Sequence, residues 1–572
     1  MRSICPLCEA TCGIEVFMED GLPESVRGDD ADLFSQGYIC PKGVALVELS
    51  EDPDRLREPM IREGDHWKTV SWKEAFARVD EGWKKLWAEH GKESLGVYMG
   101  NPVSHSTSMS LYGTGLVKML GTPNFFTAST VDQIPKHVSS GYLFGHPMSI
   151  PIPDIDHSDY LLILGANPLE SNGSLMTAPN LPGRLKALQK RGGSLVVIDP
   201  RRTKTAKLAD RYHPIRPGSD ALFLAAIVYQ LFAEDRVVAD GAIALCEGVA
   251  AIRKAVQPFS PERVAPHCDM APEAIVQIAR ELFDAPSAAI HARFGTCAQA
   301  HGTINSWLVD VIHIITGNLD RTGGALFTKA AHGPDNTKGV DGIGRGFVTG
   351  RRKSRVSGHP EVMGEFPCAA MAEEITTPGP GQIRGMLTMG GNPVLSTPDG
   401  ARLDKALASL DFMVSFDVYL NETTRHAHVI LPDVSPFERT HYDLPFRQLA
   451  IHNHARHSPP LMAPFDRPKD WEVLLQLVGI AAGMGSKADL DLLDEQGVRQ
   501  AIGREQRRKN TRIGDMDADA ILETLSPHRG PERLLDFLLR TGPYGDAFGK
   551  NDEGITLAAL FLGGRPEAGS HK

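Results

Sequence analysis

Long apolar runs are what this sequence most lacks. The longest, Leu222 to Ala233 with Gln230 inside it, falls well short of the roughly 20 residues that a membrane-spanning helix needs, so no membrane insertion is expected. The N-terminus, MRSICPLCEATCG, has neither an apolar leader core nor twin arginines, and a cytoplasmic location is expected from it. Charge of one sign is not in large excess either. Lys and Arg number 60 against 71 Asp and Glu, a net of −11 that favours solubility and argues against nucleic acid as the main ligand. The basic runs Arg351-Arg352-Lys353 and Arg507-Arg508-Lys509 are short and read as solvated surface. No Gly-x-Gly-x-x-Gly is present at the strand ends discussed below, which disfavours nicotinamide or flavin binding of the usual kind. Cysteine is sparse, 8 in 572 residues, which excludes a disulfide scaffold.

Half of those cysteines are crowded at the start, as Cys5-x2-Cys8-x3-Cys12 and, after a longer excursion, Cys40 followed by Pro41-Lys42-Gly43. Three thiolates on one tight loop and a fourth brought back by the excursion can surround an iron-sulfur cubane, for which four Cys are the usual ligands. A structural zinc site and a redox Cys-x-x-Cys are the alternatives. Zinc more often pairs two Cys-x2-Cys knuckles, and a redox motif sits in a βαβ unit, so spacing alone favours iron-sulfur without excluding zinc.

Beyond residue 70 the chain has the alternation of an α/β protein. Ser71 and Glu74 form a capping box, and Trp72, Phe76, Val79, Trp83, Leu86 and Trp87 repeat at helical spacing up to Gly91. Short apolar strands are predicted at 95–99, 160–164, 194–198, 288–291, 385–389 and 412–416, separated by helical stretches, which is the pattern of parallel sheets with crossover helices.

Two of these strands run into nearly the same loop. Tyr160-Leu-Leu-Ile-Leu-Gly165-Ala166-Asn167-Pro168 recurs as Gly385-Met-Leu-Thr-Met-Gly390-Gly391-Asn392-Pro393. Each is followed by a strand ending in an acid, Asp199 and Asp417, and then by a closing Pro, in Ile215-Arg216-Pro217 and Ile430-Leu431-Pro432. A single Gly-x-Asn-Pro is an ordinary turn; its repetition with matching acids points to two similar nucleotide-binding units, since open α/β sheets bind ligands at the carboxyl ends of their strands. Two dinucleotides, or one with two arms, would follow.

The cysteine spacing, then Gly37-Tyr38-Ile39-Cys40-Pro41-Lys42-Gly43, then Asp54-Arg55-Leu56-Arg57-Glu58-Pro59-Met60-Ile61-Arg62 and Ser71-Trp72-Lys73-Glu74-Ala75, resemble the opening of the molybdopterin oxidoreductase family. That family includes formate dehydrogenases, periplasmic nitrate reductases and arsenite oxidases and is often named after dimethyl sulfoxide reductase. The resemblance runs over nearly the whole chain. It implies a molybdenum or tungsten bis(molybdopterin guanine dinucleotide) and one [4Fe-4S] cluster on Cys5, Cys8, Cys12 and Cys40, with Lys42 between cluster and pterin. It further implies that Gly165, Asn167, Asp199, Arg201 and Asp220 hold one nucleotide and Gly391, Asn392, Asp417, Glu422 and Thr423 the other. Arg201, an always-charged fork at a strand end, is the expected phosphate contact. Thr316-Gly317-Asn318-Leu319-Asp320-Arg321-Thr322-Gly323-Gly324 is similar to a family loop, and His332-Gly333-Pro334-Asp335-Asn336 is expected near the cofactor cleft.

The implied domains are 1–55 for the cluster, completed by a mostly helical 436–572; 136–324 for the first pterin-dinucleotide unit; and 56–135 plus 325–435 for the second, both units Rossmann-like. The implied activity is a two-electron oxidation or reduction of a small substrate, with electrons leaving through the cluster to a redox partner protein or subunit. A non-redox hydratase or hydroxyl transferase using the same cofactors, and an inactive electron-relay or scaffold subunit, are the alternatives.

Two departures from the family matter. Many members supply Cys or selenocysteine to the metal, whereas this chain has no Cys between Cys40 and Cys246, so a thiolate ligand is not expected. In the segment 124–137 an oxygen donor could come from Asp132 or Ser129, with Asp132 preferred as a hard carboxylate donor. The bland reading is that one of the two caps a helix entering at Val131. His105, His137 and Arg293 are the accompanying candidates for substrate contact or proton transfer. The second departure is at the C-terminus. Nothing after Gly542 reads as the strands of the β-barrel that family enzymes carry there, which leaves that domain to a separate chain, truncated or absent. Asp515-Met-Asp517-Ala-Asp519 imitates a calcium loop, but Ala520 and Ser526 stand where Gly and Glu are required, so the acidic first turn of a helix is expected instead.

Overall fold

The first three strands form an antiparallel meander, β1 (Arg2–Ile4), β2 (Gly13–Glu19) and β3 (Leu22–Gly28), in a computed structural model that describes residues 1–333, 346–464 and 466–560. Strand β2 begins on the residue after Cys12, so the excursion to Cys40 is a hairpin that turns at Asp20-Gly21 and comes back. The return is tight. A Cβ on Gly28 would lie 1.9 Å from the Gly37 carbonyl oxygen, and Gly37 itself has φ +78°, a conformation that glycine adopts without penalty.

A seven-stranded sheet follows the order β5-β4-β16-β15-β14-β6-β7, with β4 at Met60–Glu63, β5 at His66–Thr69, β6 at Leu95–Met99, β7 at Phe125–Thr127, β14 at Gly385–Met389, β15 at Phe412–Phe416 and β16 at Val429–Leu431. Five of its strands are parallel, and the hairpin β4-β5 adds antiparallel to β16. A four-stranded, wholly parallel sheet has the order β11-β10-β9-β12, with β9 at Tyr160–Leu164, β10 at Ser194–Ile198, β11 at Arg211–His213 and β12 at Ala288–Ala292. A short antiparallel pair joins β8 (Ile152–Pro153) and β13 (Ala325–Leu326).

The two larger sheets share a plan. In each, the strand that carries Gly-x-Asn-Pro (β9, β14) lies beside the strand that ends in the acid (β10, β15), which lies beside a third (β11, β16), with a fourth on the other flank (β12, β6). The fourth strand comes last in the chain in one sheet and first in the other. The repeat read in the sequence is therefore a repeat of topology, and both Gly-x-Asn-Pro loops sit where the strand order reverses.

The predicted elements form for the reasons given. Helix Trp72–His90 is closed by the capping box, and Trp83 is fully buried while Trp72 and Trp87 are half-buried. The apolar run at Leu222 lies inside helix Asp220–Ala233, where Phe223, Leu224 and Ile227 are each 0% exposed, a gain of about 1.5–3 kcal/mol per side chain. It is core, and among the described residues no helix is long and apolar enough to cross a membrane. Asp517 caps helix Ala518–Thr524 by accepting the Asp519 N–H, so the calcium-like acids are indeed a helix start. One expectation is corrected: the helix after Ser129 begins at Ile134, not Val131, and Gln133 stands at its N-cap, so neither Ser129 nor Asp132 caps it. Ahead of it the four residues Ala128–Val131 form a separate tight turn, capped by Thr127.

Candidate functional site: a thiol pocket and two paired loops

Cys5 and Cys12 are 6% exposed and Cys8 and Cys40 partly so. The Cys5 N–H donates to the Cys12 carbonyl at 2.8 Å, the Thr11 N–H to Cys8 at 3.1 Å and the Gly43 N–H to Cys40 at 2.9 Å, which fixes where the thiols point. Burial pushes the Cys5 thiol up to about 12 and raises Cys8 and Cys12 too, with the other thiols adding to the shift and Lys42 opposing it at Cys5 and Cys8. Such thiols would not ionise alone. They become thiolates where iron supplies the positive charge, so the donor set fits an iron-sulfur cluster. Among the described residues no three His, Cys, Asp or Glu side chains converge as a single metal ion would require. Lys42 is exposed, and its charge is felt both by these cysteines and by Glu170, directly behind the first Gly-x-Asn-Pro loop.

In that loop Gly165 has φ +58°, and a Cβ there would lie 3.0 Å from the Thr296 nitrogen; Gly295, at the end of β12, would strike Gly165 in turn. The second loop repeats this: Gly390 has φ +53°, and a Cβ on Gly391 would lie 2.8 Å from the Gly100 Cα at the end of β6. At each switch point glycine lets two backbones meet.

The asparagines are held alike. Asn167 Oδ1 accepts from Thr205 Oγ1 at 2.7 Å, and that hydroxyl accepts the Leu169 N–H at 3.2 Å. Asn392 Oδ1 accepts from Thr423 Oγ1 at 2.6 Å, and that hydroxyl accepts the Val394 N–H at 3.2 Å. Asn392 also donates to Glu422 at 2.7 Å. Thr205 was not foreseen, although superposing the two repeats would have found it opposite Thr423.

The strand-end acids match as well. Asp199 accepts the Arg201 N–H at 2.8 Å and Asp417 accepts the Val418 N–H at 2.7 Å. Burial raises the Asp199 carboxyl and pushes Asp417 up to about 6. The Arg201 side chain is exposed beside Asp199. Asp220, 5% exposed and raised by burial, accepts from Gln299 at 2.7 Å and lies within the field of Asp199.

Of the four remaining candidates, Asp132 and His137 are tied to Arg293, which follows β12 directly and is 7% exposed, while His105 stands on Asp443. Its guanidinium forks onto Asp132, with 2.7 Å to Oδ1 and 2.8 Å to Oδ2, and its Nε donates to Ser174 Oγ at 2.8 Å. Both carboxylate oxygens of Asp132 are thus engaged, and a metal-ligand role for it would require the fork to open. Burial lowers the basicity of His137 and keeps it neutral; its Nδ1 donates to the Pro147 carbonyl at 2.9 Å, leaving Nε2 as a base. His105 Nδ1 lies 3.2 Å from Asp443 and its ring stacks on Phe446.

Three further groups were missed by sequence reasoning. Glu9, on the cysteine loop, is buried and accepts the Leu175 N–H at 2.9 Å; burial raises its carboxyl while Arg293 and His105 oppose the shift. Glu365 accepts from Thr127 Oγ1, and burial pushes it up to about 7. Cys368 donates through Sγ to the Thr127 carbonyl at 2.7 Å and through its N–H to Thr130 at 3.0 Å, with burial holding the thiol at about 12. Glu365 and Cys368 back the 127–132 turn from far along the chain, and no local motif marks them. Of the loop expected near the cleft, 334–345 lie outside the described residues; His332 is half-buried, with its Nδ1 3.0 Å from the Tyr442 hydroxyl.

The sequence model of the family described as molybdopterin oxidoreductase matches residues 55–479, and that of the molybdopterin oxidoreductase Fe4S4 domain matches residues 1–52. The chain is 25% identical over 440 residues to the F420-dependent formate dehydrogenase subunit alpha of Methanocaldococcus jannaschii, covering 76% of this chain and 63% of that one. It is 25% identical over 458 residues to the thiosulfate reductase molybdopterin-containing subunit of Salmonella typhimurium, covering 76% and 58%. It therefore spans less than two thirds of the length of either relative. The solved structure of acetylene hydratase from Pelobacter acetylenicus has the same fold, with a TM-score of 0.67 at 19% identity over 84% of this chain and 69% of that one.

Proposed function

Since the chain belongs to the molybdopterin oxidoreductase family and opens with that family's Fe4S4 domain, we propose that it catalyses the two-electron oxidation or reduction of a small substrate and passes electrons to a partner protein. Its cofactors are those of its two matched domains, a pterin-bound molybdenum or tungsten and a [4Fe-4S] cluster. When bound, the pterin-held metal supplies two-electron chemistry and the cluster a one-electron path.

The observation that carries this reading is the paired geometry Asn167–Thr205 and Asn392–Thr423 at two equivalent switch points, beside four gathered thiols of which Cys5 and Cys12 are buried. An electron relay alone has no use for two nucleotide cradles. In this reading both units are Rossmann-like, 136–324 forming one and 56–135 with 325–435 the other, and 1–55 with 436–572 surround the cluster. Gly165, Asn167, Asp199, Arg201 and Asp220 hold one guanine dinucleotide arm; Gly391, Asn392, Asp417, Glu422 and Thr423 hold the other; Cys5, Cys8, Cys12 and Cys40 hold the cluster. Lys42, whose charge reaches from the thiols to Glu170, bridges cluster and pterin. Asp132 and Ser174 would hold the Arg293 fork for the substrate, and Nε2 of His137 would accept a proton from it. His105, held by Asp443, orients the cysteine loop through the field it exerts on Glu9. The work takes place in the cytoplasm.

A dye-linked assay tests this. Metal-loaded protein given formate with oxidised viologen, or nitrate or thiosulfate with reduced viologen, is expected to change the dye colour with at least one of them. Full metal loading without dye turnover on any of these, together with hydration of an alkyne, would replace the proposal with a non-redox hydratase.

A further inference from the structure

Two arginines from one distant loop converge on the cysteine knuckle. Arg447 and Arg456 are 1% and 9% exposed. Nη1 of Arg447 donates to Thr11 Oγ1 at 3.1 Å, and Nη2 of Arg456 donates to the same oxygen at 3.3 Å and to the Thr11 carbonyl. Thr11 directly precedes Cys12 and has φ +44°, a left-handed conformation that a β-branched residue adopts only when its surroundings hold it there. The clamp supplies that hold.

The charges of the clamp do not balance. Arg456 is ion-paired with Asp32. Arg447 has no carboxylate within ion-pair distance among the described residues; its other bonded partner is His454, and its Nε and Nη2 have none. Of the two carboxylates in its field, Asp443 is committed to His105 and Asp32 to Arg456. A buried cation without a counter-charge costs several kcal/mol and persists where an anion is bound nearby. Four thiolates around iron are such an anion, and one that becomes more negative on reduction.

We propose that Arg447, seconded by Arg456, is the buried counter-charge of the iron-sulfur cluster and holds its reduction potential up. The inference rests on the cluster assignment given above. A fixed positive charge stabilises the reduced cluster more than the oxidised one, so its removal makes reduction harder. Both arginines act as positioning residues, through the Thr11 loop, and also through their field.

The test is an EPR-monitored potentiometric titration of the purified holoprotein. Arg447→Met is expected to weaken reduction about tenfold, a midpoint about 59 mV more negative, while Arg447→Lys, which keeps the charge, restores most of it. Asp32→Asn is expected to shift the midpoint the other way, since it frees the charge of Arg456. An Arg447→Met protein with full iron, an unaltered signal and an unaltered midpoint overturns the proposal, as does a lysine variant shifted as far as the methionine one. If Arg447→Met fails to assemble its cluster, Asp32→Asn decides: no positive shift overturns the proposal and a positive shift supports it. A wild-type protein without iron refutes the cluster assignment itself.

Discussion

Asp132→Asn is expected to destabilise the protein by about 3 kcal/mol, and Arg293→Met by only about 1 kcal/mol, although each breaks the same ion pair. The asymmetry comes from burial. The Arg293 side chain is 8% exposed and that of Asp132 36%. Removing the carboxylate strands a guanidinium that water cannot reach, with only Ser174 and the field of Glu9 left to it. Removing the guanidinium leaves a carboxylate that can be rehydrated. The double variant should therefore lie close to Arg293→Met, with the strandedness of Arg293 gone. Urea midpoints of the four proteins measure this cycle. Equal costs for the two single variants would contradict the burial argument, and with it the view that Asp132 serves Arg293 first.

Glu365→Gln is expected to be nearly neutral at pH 4.5 and to stabilise the protein by about 3 kcal/mol at pH 8. The native carboxyl is raised by burial from 4.5 to about 7, with only the Thr127 hydroxyl bond opposing. A raised acid contributes stability that is fully present below its unfolded value and lost as pH rises through the folded one. The wild type should thus lose stability relative to the Gln variant, which can still accept from Thr127, between pH 4.5 and about 7. Urea titrations across that window give the result. A difference between the two proteins that does not change with pH would mean Glu365 ionises freely. Because Thr127 caps the turn leading to Asp132, the same titration reports on the wall of the site.

What could be read in the sequence was what repeats locally. The core strands stand out as short apolar runs because parallel strands are covered on both faces, and the capping box at Ser71 and Glu74 announces its helix. Gly165 and Gly390 could be matched because both must turn with positive φ at a strand end. The contacts that cross the chain were not legible. Thr205 could be found only by aligning the repeats, six residues after Asp199 as Thr423 is after Asp417, and nothing near Cys368 or Glu365 points to Thr127; these last meet because β7 is the edge strand of the seven-stranded sheet, where Phe366 pairs with Phe125. The helix start displaced from Val131 to Ile134 has a similar cause. Thr127, bonded to Glu365, spends its hydroxyl capping a separate turn, and Pro135 then suits the first turn of the helix that follows. The hairpin that carries the chain from Cys12 to Cys40 was not read, because its strands, half exposed, lack a clean apolar face, although Asp20-Gly21 stands at its turn.

The central claim, that two nucleotide cradles and a thiol pocket serve one redox cofactor set, is tested most directly by the content of the protein purified without oxygen. Iron is expected at about four atoms per chain, molybdenum or tungsten at about one, and guanine nucleotide released by acid at about two. Iron at that level with neither pterin metal nor guanine nucleotide, or a single zinc in place of the iron, would contradict it.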